Sequence, residues 1–592
     1  MPDSNLDFDF IVIGSGFGGS VAAHRLTEKG YRVAVMEMGR RWTPENLPTT
    51  NWLIWRWIWR PKLALRGFFN ITPFRHVMIM HGCAVGGGSV TYACTALVPP
   101  DTVWERGSWA GLAPWKQEMP SHYESASGML GVAENRIPGP ADEILKRAAD
   151  SDGVGGTFYR TRVTVLQGPA GDPGGRPCAD PYFAGEGPDR ATCTGCGGCM
   201  MGCRYNAKNT LDKNYLYLAE KHGARIFAET RVVDVAPLHG DVAPFGGDVA
   251  PLYGDIAPLR GDVAPLHGDV APLRGDVAPL RGDVAPLNGS ADGSQGYEVR
   301  TVKSTAWFAR EPRRFTCRGV VFAASALGTM DLLFRLKERG SLPAISGQLG
   351  RRVRTNAESL IGVRVPHSSA DLSSGVAIGS GVYLDEHTHI EATRYPAGSD
   401  AMGMLATVLT EGRPGGHRIL LWLKNMAMSL LRHPWRTVRC LHPFGFARES
   451  IILLCMQTLD GHIDMRLGRP WFWPFRKMLM SHGARIPTFI PKANDFARKV
   501  AATAGGTPMS MITEVLFDVP GTAHVLGGCP IAATPAEGVV DQRHRVFGYR
   551  NMYVCDGSVI AANLGVNPSL TICALTERAM SYIPGATEGG RG

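Results

Sequence analysis

No stretch of this chain reaches the roughly 20 apolar residues that a membrane-spanning helix needs. Its longest apolar runs are broken by charge well short of that, so no transmembrane helix is expected. Cysteine is scarce, 13 in 592 residues and unevenly spaced, which excludes a disulfide scaffold and makes any clustered thiols informative. The opening MPDSNLDFDF lacks the basic and apolar regions of a secretory signal, and a cytoplasmic location is the expectation. Acidic residues are missing altogether from Leu47 to Pro100 and from Gly412 to Arg448, two gaps that explain much of the net charge of +9. The remaining basic residues are spread along the chain and accompany no nucleic-acid motif, so a nucleic-acid partner is not expected.

What is present begins with glycine. Residues 8 to 13, Phe-Asp-Phe-Ile-Val-Ile, read as a buried strand, followed by the turn Gly14-Ser-Gly16-Phe-Gly-Gly19, a helical stretch to about Lys29, and a second strand from Tyr31 to Met36. Glu37 ends that strand, where dinucleotide-binding folds place an acid for the adenosine ribose. Gly14 suits the tight turn, Gly16 the approach of a pyrophosphate, and Gly19 close packing of helix on strand. A chain this long can bury a large cofactor across two or three layers or domains.

From Asp234 to Gly289 a seven-residue unit, DVAPLxG, repeats eight times with small variations. Pro and Gly in every unit exclude a coiled coil. The flanks, Arg225 to Val233 and Gly296 to Val302, read as strands, so the repeat reads as an enlarged hairpin connection. A short solenoid or a partner-binding arm is the alternative.

A second cluster, His81-Gly-Cys-Ala-Val-Gly86-Gly87-Gly88-Ser89-Val-Thr-Tyr92, suggests backbone pressed against a flat or anionic ligand, with Ser89 near a phosphate. Near the far end lie Thr522-Ala-His524-Val-Leu-Gly-Gly-Cys-Pro, then Asn551-Met-Tyr-Val-Cys-Asp556-Gly557, a strand ending in an acid, then Gly565-Val-Asn567-Pro568. Singly, His524 reads as a core histidine and Asn567 before Pro568 as a helix cap. Together and in this order, these motifs resemble the glucose-methanol-choline oxidoreductase family. Within it they are most similar to the bacterial cholesterol oxidases that hold FAD without a covalent bond. The resemblance spans nearly the whole chain apart from the repeat.

That resemblance implies an α/β fold: a Rossmann-like FAD-binding domain, from residues 1–100, 205–345 and 515–585, with a discontinuous substrate-binding domain from 101–204 and 346–514. It implies that Asp556 and Gly557 meet the flavin, that Val233, closing the strand before the repeat, also borders the cofactor, and that His524 and Asn567 face a carbinol. The residue types suit alcohol oxidation, because imidazole can accept a proton near neutral pH and an amide can fix the hydroxyl oxygen. The helix after Pro568 would turn its positive end to the flavin. Cholesterol oxidases also use a carboxylate to shift a steroid double bond, and Asp400, in the stretch from His389, falls where a Glu is expected.

The run Cys193-Thr-Gly-Cys196-Gly-Gly-Cys199-Met-Met-Gly-Cys203 has the C-x2-C-x2-C-x3-C spacing of a ferredoxin. No proline follows Cys203 and no second run exists. A cubane would need Cys203 to bend back or Cys178 to serve as a remote ligand, and a three-iron cluster would need only three thiolates. Zinc usually takes two separated pairs. The run reads either as an iron–sulfur site or as a glycine-rich turn whose thiols pack. A cluster would favour electron exit to a partner; without one, oxygen is the expected acceptor.

Ile419 to Leu431, followed by Arg432, Arg436 and Arg439, and Asn51 to Arg60, with four Trp in eight residues, both read as helices with a basic end. Such segments suit a protein that rests on a membrane and draws an apolar alcohol from it, or the lining of an apolar pocket. The expected function is therefore FAD-dependent oxidation of a 3-hydroxysteroid or similar bulky secondary alcohol. An FAD and iron–sulfur alcohol dehydrogenase is the nearest rival. A flavin-binding interaction protein would not need His524, Asn567 and an intact glycine turn together.

Overall fold

Apolar residues fill positions 8 to 13 almost without a break, the pattern of a strand covered on both faces. In the computed structural model, which describes residues 6–238, 292–308, 311–366, 368–412, 418–470 and 475–586, Phe8–Ile13 is wholly buried at the centre of a seven-stranded sheet. It pairs in parallel with Val33–Met36 on one side and Arg313–Phe322 on the other. Arg225–Phe227 extends the parallel set beyond Val33–Met36, and Met552–Val554 runs parallel to Arg313–Phe322. The helices Phe17–Glu28, Tyr215–Lys221 and Ser569–Ser581 pack in one layer, so the last helix of the chain lies against the first. This is the Rossmann-like, mixed α/β arrangement that the glycine turn predicts.

An antiparallel wing completes the sheet. Thr230–Pro237 pairs with Tyr297–Lys303, which pairs with Arg313–Phe322. The stretch from Arg225 to Val233 is two strands rather than one, because Glu229 takes a left-handed φ of 51° and turns the chain from one side of the sheet to the other. The strands that flank the repeat do face each other as a hairpin, closed by Leu238 N–H donating to Gly296 O at 2.9 Å. Beyond its first five residues the repeat lies outside the described residues.

A second seven-stranded sheet, all antiparallel, runs in the order Ala406–Val408, Thr507–Met511, Ser359–Arg364, Ser450–Gln457, Thr388–Thr393, Ile378–Tyr383 and Tyr159–Arg160. Helices Pro140–Ser151 and Pro491–Ala504 cover it with Leu145, Phe496 and Ala497 against Ile361, Val363 and Leu453. Asp142, in the first turn of the former helix, accepts from Gly139 N (2.7 Å), Ser380 Oγ (2.6 Å) and Arg394 Nη2 (2.7 Å). Asp142 and Arg394 are 2% and 0% exposed, so truncating one strands the other's charge. Asp142→Ala is expected to destabilise the protein by about 3–5 kcal/mol, read as a lowered midpoint in thermal or denaturant unfolding.

Residues 51 to 60 depart from the expected helix. Only Ile54–Trp57 is helical, and Trp59–Arg60 then pairs with Leu65–Arg66. Pro61 disfavours continuation of the helix. Trp57 and Trp59 are buried, Trp57 stacking on Phe69 at 4.9 Å, so packing rather than an amphipathic stripe decides the local shape.

Candidate active site

The two glycine clusters meet face to face. Gly14 has a φ of 102°, which favours glycine, and a side chain there would strike Ala323 O; side chains at Gly18 or Gly19 would strike Cys555 O or Gly14 O. Gly16 is different: a Cβ there would meet nothing within 4 Å. The cradle is thus open at the residue that must approach a ligand and tight elsewhere, which fits a dinucleotide pyrophosphate. From the other side Gly87, at φ 51°, would bring a Cβ within 2.5 Å of Gly16 Cα. Gly87→Val is expected to yield protein largely free of flavin, measured as the ratio of flavin to protein absorbance after purification.

Ser15 ties the clusters together, accepting from Gly86 N at 3.0 Å and donating to Glu37 at 2.6 Å. Glu37 is buried, its pKa raised by burial, and it also accepts from Ser15 N (3.0 Å) and Gly39 N (2.6 Å). Its carboxylate therefore holds the turn. Ser89 is wholly buried, donating to Gly86 O at 2.6 Å and accepting from Leu211 N at 3.0 Å; it staples the second cluster rather than offering a free hydroxyl to a phosphate. Asp556 accepts from Ser558 N (2.9 Å), Ser558 Oγ (2.5 Å) and Thr329 Oγ1 (2.5 Å), capping the turn that begins at Gly557. Gly557 O in turn accepts from Gly527 N at 2.9 Å, linking this turn to the His524 loop. Val233 sits at a β-bulge, its carbonyl accepting from Arg339 at 2.9 Å.

His524 follows the short strand Gly521–Thr522, and its N–H donates to Thr522 Oγ1 at 2.9 Å. Its ring Nδ1 is bonded to the Glu358 carboxylate, which also accepts from Ala523 N at 3.2 Å. With Nδ1 held this way, the neutral ring carries its proton there and Nε2 is the basic nitrogen. Burial opposes charge on the ring, but the charge and hydrogen bond of Glu358, with the charge of Glu391, raise its pKa above the ordinary value.

Asn567 lies just before the helix Ser569–Ser581, and its Nδ2 donates to Glu391 Oε2 at 3.1 Å. Asn567 Oδ1 and Glu391 Oε1 are both buried without a partner among the described residues. Such atoms are costly unless a ligand satisfies them. Burial raises Glu391 to about 7, against the hydrogen bond from Asn567 and the charge of His524. Two residues before Glu391 on the same strand face, His389 bonds Gly565 O (3.1 Å) and Tyr159 OH (2.6 Å), fixing the loop that carries Asn567. Burial depresses His389 to about 4, so this ring is neutral support.

One segment clamps both loops. Asn356 bonds Asn563 Oδ1, Val566 O and Gly565 N at 3.1, 3.0 and 2.8 Å, and two residues on Glu358 holds His524. Asn356 and Ala357 are both left-handed, at φ 59° and 47°, a conformation costing about 1–3 kcal/mol each and concentrated at functional sites.

Asp400 is employed elsewhere. Its two oxygens accept from Gly445 N (3.0 Å) and Ala447 N (2.8 Å), and no hydrogen bond joins it to His524, Asn567 or Glu391. The carboxylate beside Asn567 is Glu391. Glu358 and Glu391 are the residues that motif reasoning passes over. A charged residue within the apolar alternation of Thr388–Thr393 is the one signal that marks Glu391.

The four clustered cysteines surround a cavity of about 250 Å³ with Lys208 in its wall. No three His, Cys, Asp or Glu side chains among the described residues converge on a point that could hold a metal ion, so the iron–sulfur alternative finds no support in this arrangement. Cys178, the remote alternative, lies on a small hairpin paired with Arg190–Ala191. Cys199 and Cys94 are both buried in one small apolar cluster with Val163, Val165, Val376 and Ala377.

The model of the GMC oxidoreductase family matches residues 456–576, and that of an NAD(P)-binding Rossmann-like domain matches 12–43. The chain is 54% identical to a cholesterol oxidase of Acinetobacter baumannii, over 99% of this chain and 96% of the relative. It is 40% identical to a cholesterol oxidase of Mycobacterium tuberculosis, over 99% and 92%. The fold resembles that of pyridoxine 4-oxidase from Mesorbium loti, with a TM-score of 0.56 at 14% identity over 97% of this chain and 99% of that one. The glycine cradle, the His524 and Asn567 loops and these full-length relatives agree: the chain belongs to the GMC oxidoreductase family, the FAD-dependent oxidoreductases that act on alcohols.

Proposed function

We propose that this enzyme oxidises a 3-hydroxysteroid, cholesterol or a close analogue, to the ketone and then shifts the steroid double bond. The observation that carries this reading is Asn567 bonded to Glu391 with two buried oxygens left for a ligand, together with a His524 ring held by Glu358 and acted on by the charge of Glu391. The names of the two full-length relatives support the substrate class. Gly14, Gly16 and Gly19, with Glu37 bracing the turn, would hold the ADP half of FAD; Gly86 to Gly88, Val233, Asp556 and Gly557 would border the rest. When bound, FAD supplies the hydride acceptor. The protein then places the substrate hydroxyl between Asn567 and His524: the amide orients the oxygen, and Nε2 takes the hydroxyl proton as the carbinol carbon loses hydride. Oxygen is the proposed terminal acceptor, on the strength of the oxidase names, with hydrogen peroxide as product.

The test is an anaerobic titration of purified enzyme with cholesterol, followed by the flavin absorbance bands. Bleaching near one equivalent supports the reading. Bleaching by long-chain primary alcohols but not by sterols would sink the steroid assignment.

The partner surface is proposed to be an anionic membrane face. Helix Ile419–Arg432 has no buried residue, and Leu420, Leu431 and Trp435 are 81%, 83% and 85% exposed. Trp52 stacks on Phe444 at 5.5 Å, so the two acid-free stretches come together there, with Trp55 and Leu63 also exposed. Among the described residues no helix is long and apolar enough to cross a membrane. Apolar side chains flanked by basic residues suit interfacial binding, and the enzyme would then act peripherally. Cosedimentation with phosphatidylglycerol vesicles is expected to exceed that with phosphatidylcholine and to fall in a Leu420→Ser, Leu431→Ser, Trp435→Ser variant.

A further inference from the structure

Strand Ser359–Arg364 begins one residue after Glu358 and pairs on one side with Thr507–Met511. That ladder stops at Ile361 opposite Ser510, and the next backbone N–H toward Glu358, on Leu360, needs another acceptor. Glu514 supplies it: the carboxyl, wholly buried on the short helix Ile512–Leu516, accepts from Leu360 N through Oε1 at 2.9 Å. Its Oε2 is bonded to Ser359 Oγ at 2.9 Å, and Ser359 Oγ reaches Thr488 O at 3.4 Å. Thr488 Oγ1 in turn accepts from the buried Arg418 at 3.1 Å and donates to Asp518 at 2.7 Å. Leu360 lies against Gly521, where a Cβ would come within 3.6 Å of it, and Gly521–Thr522 is the strand that leads to His524. Glu514 thus holds the two residues that follow Glu358 and, through Leu360, borders the approach to His524.

We propose that Glu514 is a positioning residue for alcohol oxidation: its two bonds fix the start of the strand and so aim Glu358 at Nδ1 of His524. The role rests on His524 as the proton acceptor, but not on which alcohol is oxidised. Glu358 acts on His524 only while its carboxylate meets Nδ1, and a shift of about 1 Å in such a contact can cost about a hundredfold in rate. Without Glu514, Leu360 N and Ser359 Oγ lose buried partners, and the backbone beside Glu358 must move to recover them. The Glu358 charge then draws away from the ring, while Glu391, the other charge facing it, is untouched, and the pKa of His524 drops from its raised value toward the ordinary one. Burial, with the charge of Glu358, raises Glu514 itself to about 8, against the bonds from Leu360 and Ser359 and the charge of Arg418, so near neutrality it is largely protonated. Protonated on Oε2, the acid donates to Ser359 Oγ and frees the serine proton for Thr488 O. A glutamine amide reproduces that pattern, oxygen toward Leu360 and nitrogen toward Ser359, whereas alanine abolishes it. The bonds, rather than a charge at 514, carry the role.

The test compares the flavin-loaded full chain with its Glu514→Gln and Glu514→Ala variants. His524 is titrated by its modification with diethyl pyrocarbonate across pH, mapped by mass spectrometry, and flavin reduction by cholesterol is followed anaerobically by stopped flow. In Glu514→Ala the pH midpoint for His524 modification is expected to fall below the native one, and the reduction rate at neutral pH to drop about ten- to a hundredfold. Apparent substrate affinity should stay near native, because no substrate contact is removed. Glu514→Gln should keep the native midpoint and rate. Should Glu514→Ala fail to fold, Ser359→Ala removes one of the two bonds, and midpoint and rate should move in the same direction by less. A Glu514→Ala or Ser359→Ala variant that melts at lower temperature yet keeps the native midpoint and rate would overturn the proposal, as would a glutamine variant as impaired as the alanine one. Failure of cholesterol to bleach the native flavin strikes the steroid reading alone, and the His524 midpoint still decides for or against Glu514.

Discussion

His524→Ala is expected to lower kcat by about a hundred- to ten-thousand-fold while leaving flavin content near normal, because the proton on the substrate oxygen then has no positioned acceptor. The pairing with Glu358 sharpens this. Glu358→Gln keeps the size of the side chain but removes the charge that holds the proton on Nδ1, so a large share of the loss should reappear with the histidine intact. The two variants separate on pH. In the native enzyme the raised pKa of His524 means that its neutral, basic form accumulates only above that value, so kcat rises with pH on the acid side. Without the Glu358 charge the pKa falls and the acid limb moves to lower pH. A pH profile of Glu358→Gln with an unmoved acid limb would show that His524 is not the group titrating. Stopped-flow reduction of the flavin under anaerobic conditions reads the step directly.

Glu391→Gln is expected to separate the two halves of the proposed reaction. Double-bond migration needs a carboxylate that takes a proton from the carbon beside the new ketone and returns it farther along the ring. The uncharged amide cannot do this, and isomerisation should fall by about 10²–10⁴-fold, so that the unshifted ketone accumulates. Oxidation should suffer less, since the glutamine can still face Asn567. At about 7, Glu391 is protonated below neutrality and ionised above it, so isomerisation by the native enzyme should rise as pH passes through about 7. Product analysis by ultraviolet absorbance of the conjugated enone checks both points. Asp400→Asn is the control: it weakens the backbone bonds to Gly445 and Ala447 and should lower stability without changing the product ratio.

The contrast between Glu391 and Asp400 shows where sequence reading runs out. The glycine turn, the buried strand at 8–13 and the loops bearing His524 and Asn567 are local patterns, in which spacing along the chain carries the geometry; the structure shows the strand buried, Gly14, Gly18 and Gly19 tightly packed and Asn567 bonded to Glu391. Glu391 reaches Asn567 across 176 positions of sequence, and Glu358 reaches His524 across 166. Those meetings depend on which strands of the antiparallel sheet are neighbours and on which face each residue points to. Strand parity puts His389 and Glu391 on one face, whereas Asp400 lies beyond the strand, at the start of a short turn. The cysteine run stayed open between two readings for a related reason: its spacing records how the thiols are separated along the chain, and among the described residues no three ligand side chains converge on a metal position. The tryptophan-rich segment at 51–60 misled because aromatic residues buried by tertiary packing mimic an amphipathic helix.

The hairpin that brackets the repeat has a consequence for how this protein can change over generations. The chain leaves at Leu238 and returns at Gly296, two residues joined by a backbone hydrogen bond, so departure and arrival are fixed at one spot on the rim of the sheet. Seven-residue units can be gained or lost between those points without altering the register of Thr230–Pro237 on Tyr297–Lys303, and none of His524, Asn567, Glu358 or Glu391 belongs to those strands. Copy number is therefore uncoupled from the chemistry, and natural variants of this enzyme that differ in repeat count should share one active site.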